Sequence, residues 1–385
     1  MVQRRQILLW GGALAGVGLS AIAQQILAVN RSPQSSSEAS KDGVPTLPMA
    51  QHPPAGQVLD PPRADMRIVV ISDLNSQYGS TEYEPEVDKA IALIPTIWQP
   101  DLVLCGGDMV AGQSRSLSRE NIQQMWTAFD QHVSAPLRQA KIPYGFTIGN
   151  HDASGALALD GGFLFEADRQ SASAYWNNPQ HDPGLQFVDR ANFPFYYTFQ
   201  QNEIFFLVWD ASTAAIPAAQ IAWVERSLAS PAAQSAKMRM AIGHLPFYGI
   251  TVGRDEPGEY LDDAESLRSL LERYNVHTYI SGHDHAYYPG HKGRLELLHC
   301  GILGSGMRPL LNGNLRPVKT LTVMDINLTT ATTLYTTYDM STMAVITTQS
   351  LPKLIATRTE KVLRRDVQWS DLTPEEQALE YVPTN

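Results

Sequence analysis

Beginning at Met66, three short apolar runs alternate with two helix-length stretches, and this alternation limits the fold more than any other feature. "MRIVVIS", "PDLVLCGG" and "IPYGFTIGN" read as strands, the first two buried on both faces. Between them lie "EPEVDKAIALIPTIW", whose acidic start complements the helix dipole, and the amphipathic "SRENIQQMWTAFDQHVSAPLRQA", with Ile122, Met125, Trp126 and Phe129 on one face. A βαβαβ run of this kind builds a parallel sheet and gathers ligand groups beyond the carboxyl ends of its strands. Asp73, Asp108 and Asn150 all fall at such ends.

The pattern resumes after an interruption. Residues 152–192 are rich in Gly, Asn, Asp and Pro, hold one short helical patch at Ala167 to Trp176, and read as a long surface excursion that roofs the site. Then come a hairpin in "FPFYYTFQQNEIFFLVWDAS", a helix in "PAAQIAWVERSLAS", a strand in "KMRMAIGHLPFY", a helix over 262–274, and strands at "VHTYISGHDH" and "LELLHCG". The Thr-rich alternation after Lys319 suits edge strands of a second sheet, and 351–385 reads as a C-terminal tail with one capped turn at "TPEEQAL". A chain of 385 residues with 43% apolar content supports a sizeable core over 66–350. Cys105 and Cys300 both sit in apolar strand-like runs, which favours buried free thiols over a disulfide.

The N-terminus is different in kind. Arg4 and Arg5 precede an uncharged run from Ile7 to Ala28 that ends near small residues, so 1–28 reads as an export signal of twin-arginine type, with an ordinary secretory signal or a retained membrane anchor as the alternatives. A periplasmic or secreted location follows from the first two, membrane association through 7–28 from the third. Residues 29–65, rich in Ser, Pro, Gln and Gly, read as a flexible linker. The formal charge of -10 argues against binding nucleic-acid backbones, so a protein this acidic needs a metal or an arginine, with Arg115 and Arg308 as candidates, to draw in a phosphate.

Five polar strings recur on one rule, apolar strand, small turn residue, then a ligand-type side chain: "SDLN" (Asp73, Asn75), "GGD" (Asp108), "GNHD" (Asn150, His151, Asp152), "GHLPF" (His244) and "GHDH" (His283, His285). Carboxylates, imidazoles and amide oxygens converging from several strand ends make a site for hard or borderline divalent ions. The number of ligands points to two ions, which one bridging carboxylate holds together.

In this order the strings resemble the calcineurin-like metallophosphoesterase family, the superfamily that includes purple acid phosphatases, over roughly Met66 to Gly306. The resemblance implies an α/β fold, a four-layer α-β-β-α sandwich of two mixed sheets flanked by helices, and hydrolysis of phosphate mono- or diesters at a dinuclear centre of divalent ions (Mn, Fe, Zn, Mg or Ca). Matched position by position, it places Asp73, Asn75 and His285 on the first ion, Asn150, His244 and His283 on the second, and Asp108 between them. His151 would serve the leaving oxygen, with Asp152 orienting it, while a metal-bound hydroxide attacks phosphorus in line. The substrate implied is a small-molecule phosphate ester. Two positions depart from the family: Asn75 stands where it usually has His, favouring a harder ion than Zn²⁺, and Ala111 stands where purple acid phosphatases place a tyrosine, which speaks against a ferric-tyrosinate centre. Asn75 also motivates the alternative of a degenerate member that binds phosphorylated ligands at the envelope without turnover. Tyr78, in the same loop, lies within reach of the substrate.

Overall fold

The computed structural model describes residues 49–50 and 59–383. Strands β1 (Met49–Ala50), β2 (Met66–Ile71), β3 (Leu102–Cys105) and β4 (Tyr144–Phe146) open the first sheet. A second sheet follows with β5 (Gln186–Asn192), β6 (Tyr196–Gln201), β7 (Ile204–Val208), β8 (Met238–Ile242), β9 (Thr278–Ser281), β10 (Tyr288–Lys292) and β11 (Leu295–His299). The chain then returns to the first sheet with β12 (Thr320–Asn327), β13 (Thr332–Asp339) and β14 (Ala344–Ile346), and ends in the second with β15 (Leu354–Ala356) and β16 (Lys361–Arg364). The orders are β1-β14-β13-β12-β2-β3-β4 and β15-β16-β10-β11-β9-β8-β7-β6-β5. Both sheets are mixed, and helices flank them, as the α/β sandwich reading expects.

The parallel registers set the site. Ile71 pairs with Cys105 and Cys105 with Phe146, so the carboxyl ends of β2, β3 and β4 are level. In the second sheet Ile242 pairs with Ile280, which levels the ends of β8 and β9. The two edges touch: the His283 amide after β9 donates to the Asp73 carboxylate after β2 (3.2 Å), and β4 packs on β6 through a bond from the Phe146 amide to the Tyr197 hydroxyl. β2 is buried along all six residues, which is why it reads as an unbroken apolar run. Local signals fix the helices between: Pro85 opens Pro85–Leu93 with Glu86 and Asp88 in the first turn, and Ser118 and Asn121 form a capping box on Arg119–Phe129.

Three expectations are corrected. The Thr-rich strands do not edge a second sheet: β12 lies in the first sheet between β2 and β13, buried along seven of its eight residues, because its threonines pack inside and pair (Thr322 Oγ1 to Thr337 Oγ1, 2.9 Å). The segment after 350 is no tail: β16 pairs with β10 and β15 with β16, and Leu354, Val367 and Leu372 form a small core of their own. The linker ends earlier than Asp65, since the Arg67 guanidinium, 2% exposed, draws Asp60 and Pro61 onto the body while it pairs with buried Asp325. Strand β5, inside the 152–192 excursion, and β10 have no counterpart in the sequence reading. No helix among the described residues is long and apolar enough to cross a membrane, and Ile7–Ala28 lies outside them. Both cysteines are buried and free, as expected.

Candidate metal centre

Four side chains at the meeting edges sit on backbones with left-handed φ: Asp73 (51°), Asp108 (54°), His283 (68°) and His285 (57°). Left-handed geometry at a residue with a Cβ costs about 1–2 kcal/mol each. It turns the chain sharply just past the strand and aims each side chain inward, and such outliers gather at functional sites. Close approach is permitted by missing Cβ atoms, since one on Gly149 would overlap Asp108 Oδ1 and one on Gly282 the Asp73 carboxylate.

Hydrogen bonds then fix which ring atom faces the centre. His244 Nδ1–H donates to Gly106 O (2.7 Å), His285 Nδ1–H to Gly306 O (2.8 Å), and His283 Nε2–H to Glu259 Oε2 (2.8 Å). Their partners are acceptors only, so His244 Nε2, His285 Nε2 and His283 Nδ1 are left for the interior. Asn150 Nδ2 donates to Gln113 Oε1 (2.7 Å), which turns Asn150 Oδ1 toward His244 Nε2 (2.9 Å) and His283 Nδ1 (3.0 Å).

The oxygen and nitrogen donors fall into two groups. Asp73, Asp108 and His285 each offer one atom within 4.8 Å of the others, His285 Nε2 lying 3.2 Å from Asp73 Oδ1. Asn150, His244 and His283 form the second group, and Asp108 Oδ2 reaches it at 3.4 Å from His244 Nε2. Asp108 Oδ2 and His285 Nε2 are both buried without a hydrogen-bond partner. A buried carboxylate oxygen left bare among imidazole nitrogens is a cradle for a cation.

The titration behaviour agrees. Burial opposes charge on Asp108, yet the facing His244 and then His151 hold its carboxyl well below the usual range. Burial likewise opposes charge on His244, and Asp108 outweighs it, raising His244 to about 9. Burial, then the Arg254 charge and the neighbouring imidazoles, keep His283 neutral. A proton on His244 Nε2 thus stands where a metal would stand, facing the bare His283 Nδ1 at 3.3 Å.

The profile of the calcineurin-like phosphoesterase family matches residues 66–287, more than half of the chain. The chain belongs to the calcineurin-like phosphoesterase family. It is 23% identical over 229 residues to "Probable purple acid phosphatase 20" of Arabidopsis thaliana, covering 59% of this chain and 47% of that one. Among solved structures it is similar to purple acid phosphatase PPD1 from yellow lupin (Lupinus luteus) seeds, with a TM-score of 0.49 and 17% identity over 72% of this chain and 52% of that one. A second likeness is GAP50, the anchor in the inner membrane complex of Plasmodium, with a TM-score of 0.44 and 14% identity over 73% and 87% of the two chains. The chain spans about half the length of the purple acid phosphatases it matches.

Within this centre the structure brings together Asp73, Asp108, Asn150, His244, His283 and His285. The Asn75 backbone is bonded to Asp108 O and Ser305 N, and its side chain, 6% exposed as a residue, makes no hydrogen bond to another described residue. His151 stands at the rim, Nε2 3.9 Å from Asp108 Oδ2, its Nδ1–H donating to Gly112 O (3.2 Å), with the Tyr78 ring centroid 5.1 Å away. Asp152 does not orient it. The Asp152 carboxylate is fully buried and accepts the amides of Met109 (2.7 Å), Val110 (2.9 Å) and Gly149 (2.8 Å), lacing the Asp108 loop to the Asn150 loop. Burial, then the Asp108 charge, pushes this carboxyl up to about 7 against the Gly149 and Val110 amides.

Three supporting groups have no motif behind them. Gln113 orients Asn150; Asp284, between the two motif histidines, accepts from His299 Nδ1 (2.7 Å) and the Ile250 amide (3.2 Å); and Glu259 bridges His283 Nε2 and Arg254 Nη1. The only sequence cue to Glu259 is an acid in a Gly- and Pro-containing loop ("DEPGEY"), which any surface turn shares. Glu259→Ala removes the carboxylate that fixes the His283 tautomer, and a partner of this kind is worth about 10–100-fold in metal affinity. Competition titration with a chelating dye reads that loss, and Glu259→Gln should recover part of it.

Proposed function

We propose that this chain hydrolyses phosphate esters at two divalent cations, one held by Asp73, Asp108 and His285 and the other by Asp108, Asn150, His244 and His283. What carries the reading is the bare, buried Asp108 Oδ2, shared between both donor groups with the left-handed backbones aimed at it. Two ions a few ångströms apart supply charge stabilisation for phosphoryl oxygens and activate water at neutral pH. The protein's own part is to fix them in place and to handle the leaving group. His151, with Nδ1–H tied to Gly112 O, presents Nε2 at the rim, where a proton carried on that nitrogen passes to the leaving oxygen. Tyr78, 63% exposed beside His151, walls the leaving-group side.

The mixed oxygen and nitrogen donor set suits Mn²⁺, Fe, Zn²⁺ or Mg²⁺. Two carboxylates and one imidazole hold the first ion, and the Asn75 side chain, without a hydrogen bond among the described residues, is its further candidate ligand. The test is a panel of aryl phosphate mono- and diesters with each of these ions and with Ca²⁺. Turnover under at least one, abolished by chelator and restored by metal, is expected. Binding of phosphate without turnover under any ion would favour the non-catalytic alternative. The N-terminal run supports placing this activity outside the cytoplasm, and fractionation with sequencing of the mature N-terminus checks that.

A further inference from the structure

Large apolar side chains exposed among the described residues are concentrated beside this centre. Of the eleven, six lie on segments adjoining it: Tyr78, Met307, and Leu157, Leu159, Phe163 and Leu164. Met307 follows Gly306, whose carbonyl holds His285, and the last four belong to one hairpin that begins five residues after His151. That hairpin is built. Leu157 bridges to Phe163, the Leu164 amide donates to Ala156 O (2.8 Å) and the Ala158 amide to Gly162 O (2.8 Å), and a tight turn runs from Ala158 to Gly161, closed by the Gly161 amide on Ala158 O (3.0 Å). Its base is clamped by Arg169, which donates to Ala153 O and Asp210 and lies between the Phe163 and Phe195 rings (4.1 and 3.9 Å).

Display of apolar tips on a braced loop carries a free-energy cost in water unless something covers them. Leu159, with a relative exposure of 111%, projects outright, and Asp160 is the sole charged residue from Ala156 to Leu164. A convex nine-residue tip is far smaller than the roughly 800 Å² per partner of a standard protein interface. A lipid surface needs only a few inserted side chains when a second attachment holds the molecule there. The retained-anchor reading of the uncharged run Ile7–Ala28 supplies such an attachment, joined to β1 at Met49 by 29–48. Twenty residues reach at most about 70 Å. The net charge of -10 favours an electrically neutral surface over an anionic one.

We propose that the Ala156–Leu164 hairpin inserts into an electrically neutral lipid surface beside the centre, so that the ester cleaved is one presented at a lipid–water interface. The substrate half of this rests on the phosphoesterase reading above; the hairpin's contact with lipid does not. Cys105 and Cys300 are buried, so Leu159→Cys in the full chain takes an environment-sensitive fluorophore at one place. On phosphatidylcholine vesicles the label is expected to shift to the blue and to be quenched by lipid-borne nitroxide. A label at Leu334, also exposed but on β13, stays solvent-like. Adding Leu157→Asp lowers quenching at 159 at least about tenfold in the lipid required. Leu157→Asp/Leu159→Asp lowers turnover of a vesicle-presented ester relative to a soluble aryl ester by a similar factor. A label at 159 that stays solvent-like on vesicle-bound chain overturns the proposal. So does one that responds to protein concentration without lipid, which would mean a second copy covers the hairpin. Quenching with no turnover of either ester supports the lipid contact and counts against the phosphoesterase reading instead.

Discussion

Asp108→Asn lowers phosphoester turnover at least about a thousandfold, the several kcal/mol of charge stabilisation that a metal centre contributes at about 1.4 kcal/mol per decade. Above the raised His244 value of about 9 the same variant leaves the metal-free fold as stable as before, and below it the fold loses only the Asp108–His244 attraction. Both halves come from one residue's geometry. Oδ1 accepts the His151 amide at 2.8 Å, and an Asn oxygen accepts it equally. Oδ2 has no protein partner and serves only the two donor groups, so an amide NH₂ there removes the shared charge and nothing else. His244, whose raised pKa depends on Asp108, should fall back toward the ordinary imidazole range in the variant, observable by NMR titration. Loss of stability in step with activity would mean that Asp108 is a structural acid.

Asp152→Ala has the opposite profile. It strips the acceptors from three buried amides, at about 1–3 kcal/mol each, so the variant should lose roughly 3–9 kcal/mol of folding stability. For a domain of ordinary stability that is enough to leave much of the chain unfolded. Asp152→Asn keeps an oxygen for Met109 and Val110 and loses the Gly149 bond, at about 1–3 kcal/mol. Chemical denaturation measures both. Full stability of Asp152→Ala with reduced turnover would restore the role of orienting His151.

The contrast between these two acids explains what the sequence reveals and what it hides. Asp73, Asp108, Asn150, His244, His283 and His285 stand at the ends of buried parallel strands, which advertise themselves as apolar runs bounded by glycine, so both the strands and their terminal groups can be found by eye. Asp152 follows His151 directly and looks like its partner. Its actual partners are backbone amides, two of them 42 and 43 residues away, and backbone donors leave no mark in a sequence. Glu259 and Gln113 are hidden for the same reason, since only the folded loops bring them to His283 and Asn150. β5 alternates exposed and half-buried positions at a sheet edge, and β15 and β16 have three and four residues, too few for a periodicity to appear. β12 reads as an edge because threonine is polar, yet the Thr322 hydroxyl is satisfied across the strand pair and the strand is central.

The central claim is that one carboxylate holds two cations. Its most direct test is equilibrium dialysis of the metal-stripped chain against Mn²⁺, with bound metal per folded chain counted by mass spectrometry. Two ions per chain, reduced to one weakly held ion or none in Asp108→Asn, is the predicted result. A natively folded wild-type chain that binds no ion, or the same number with and without the Asp108 carboxylate, would contradict it.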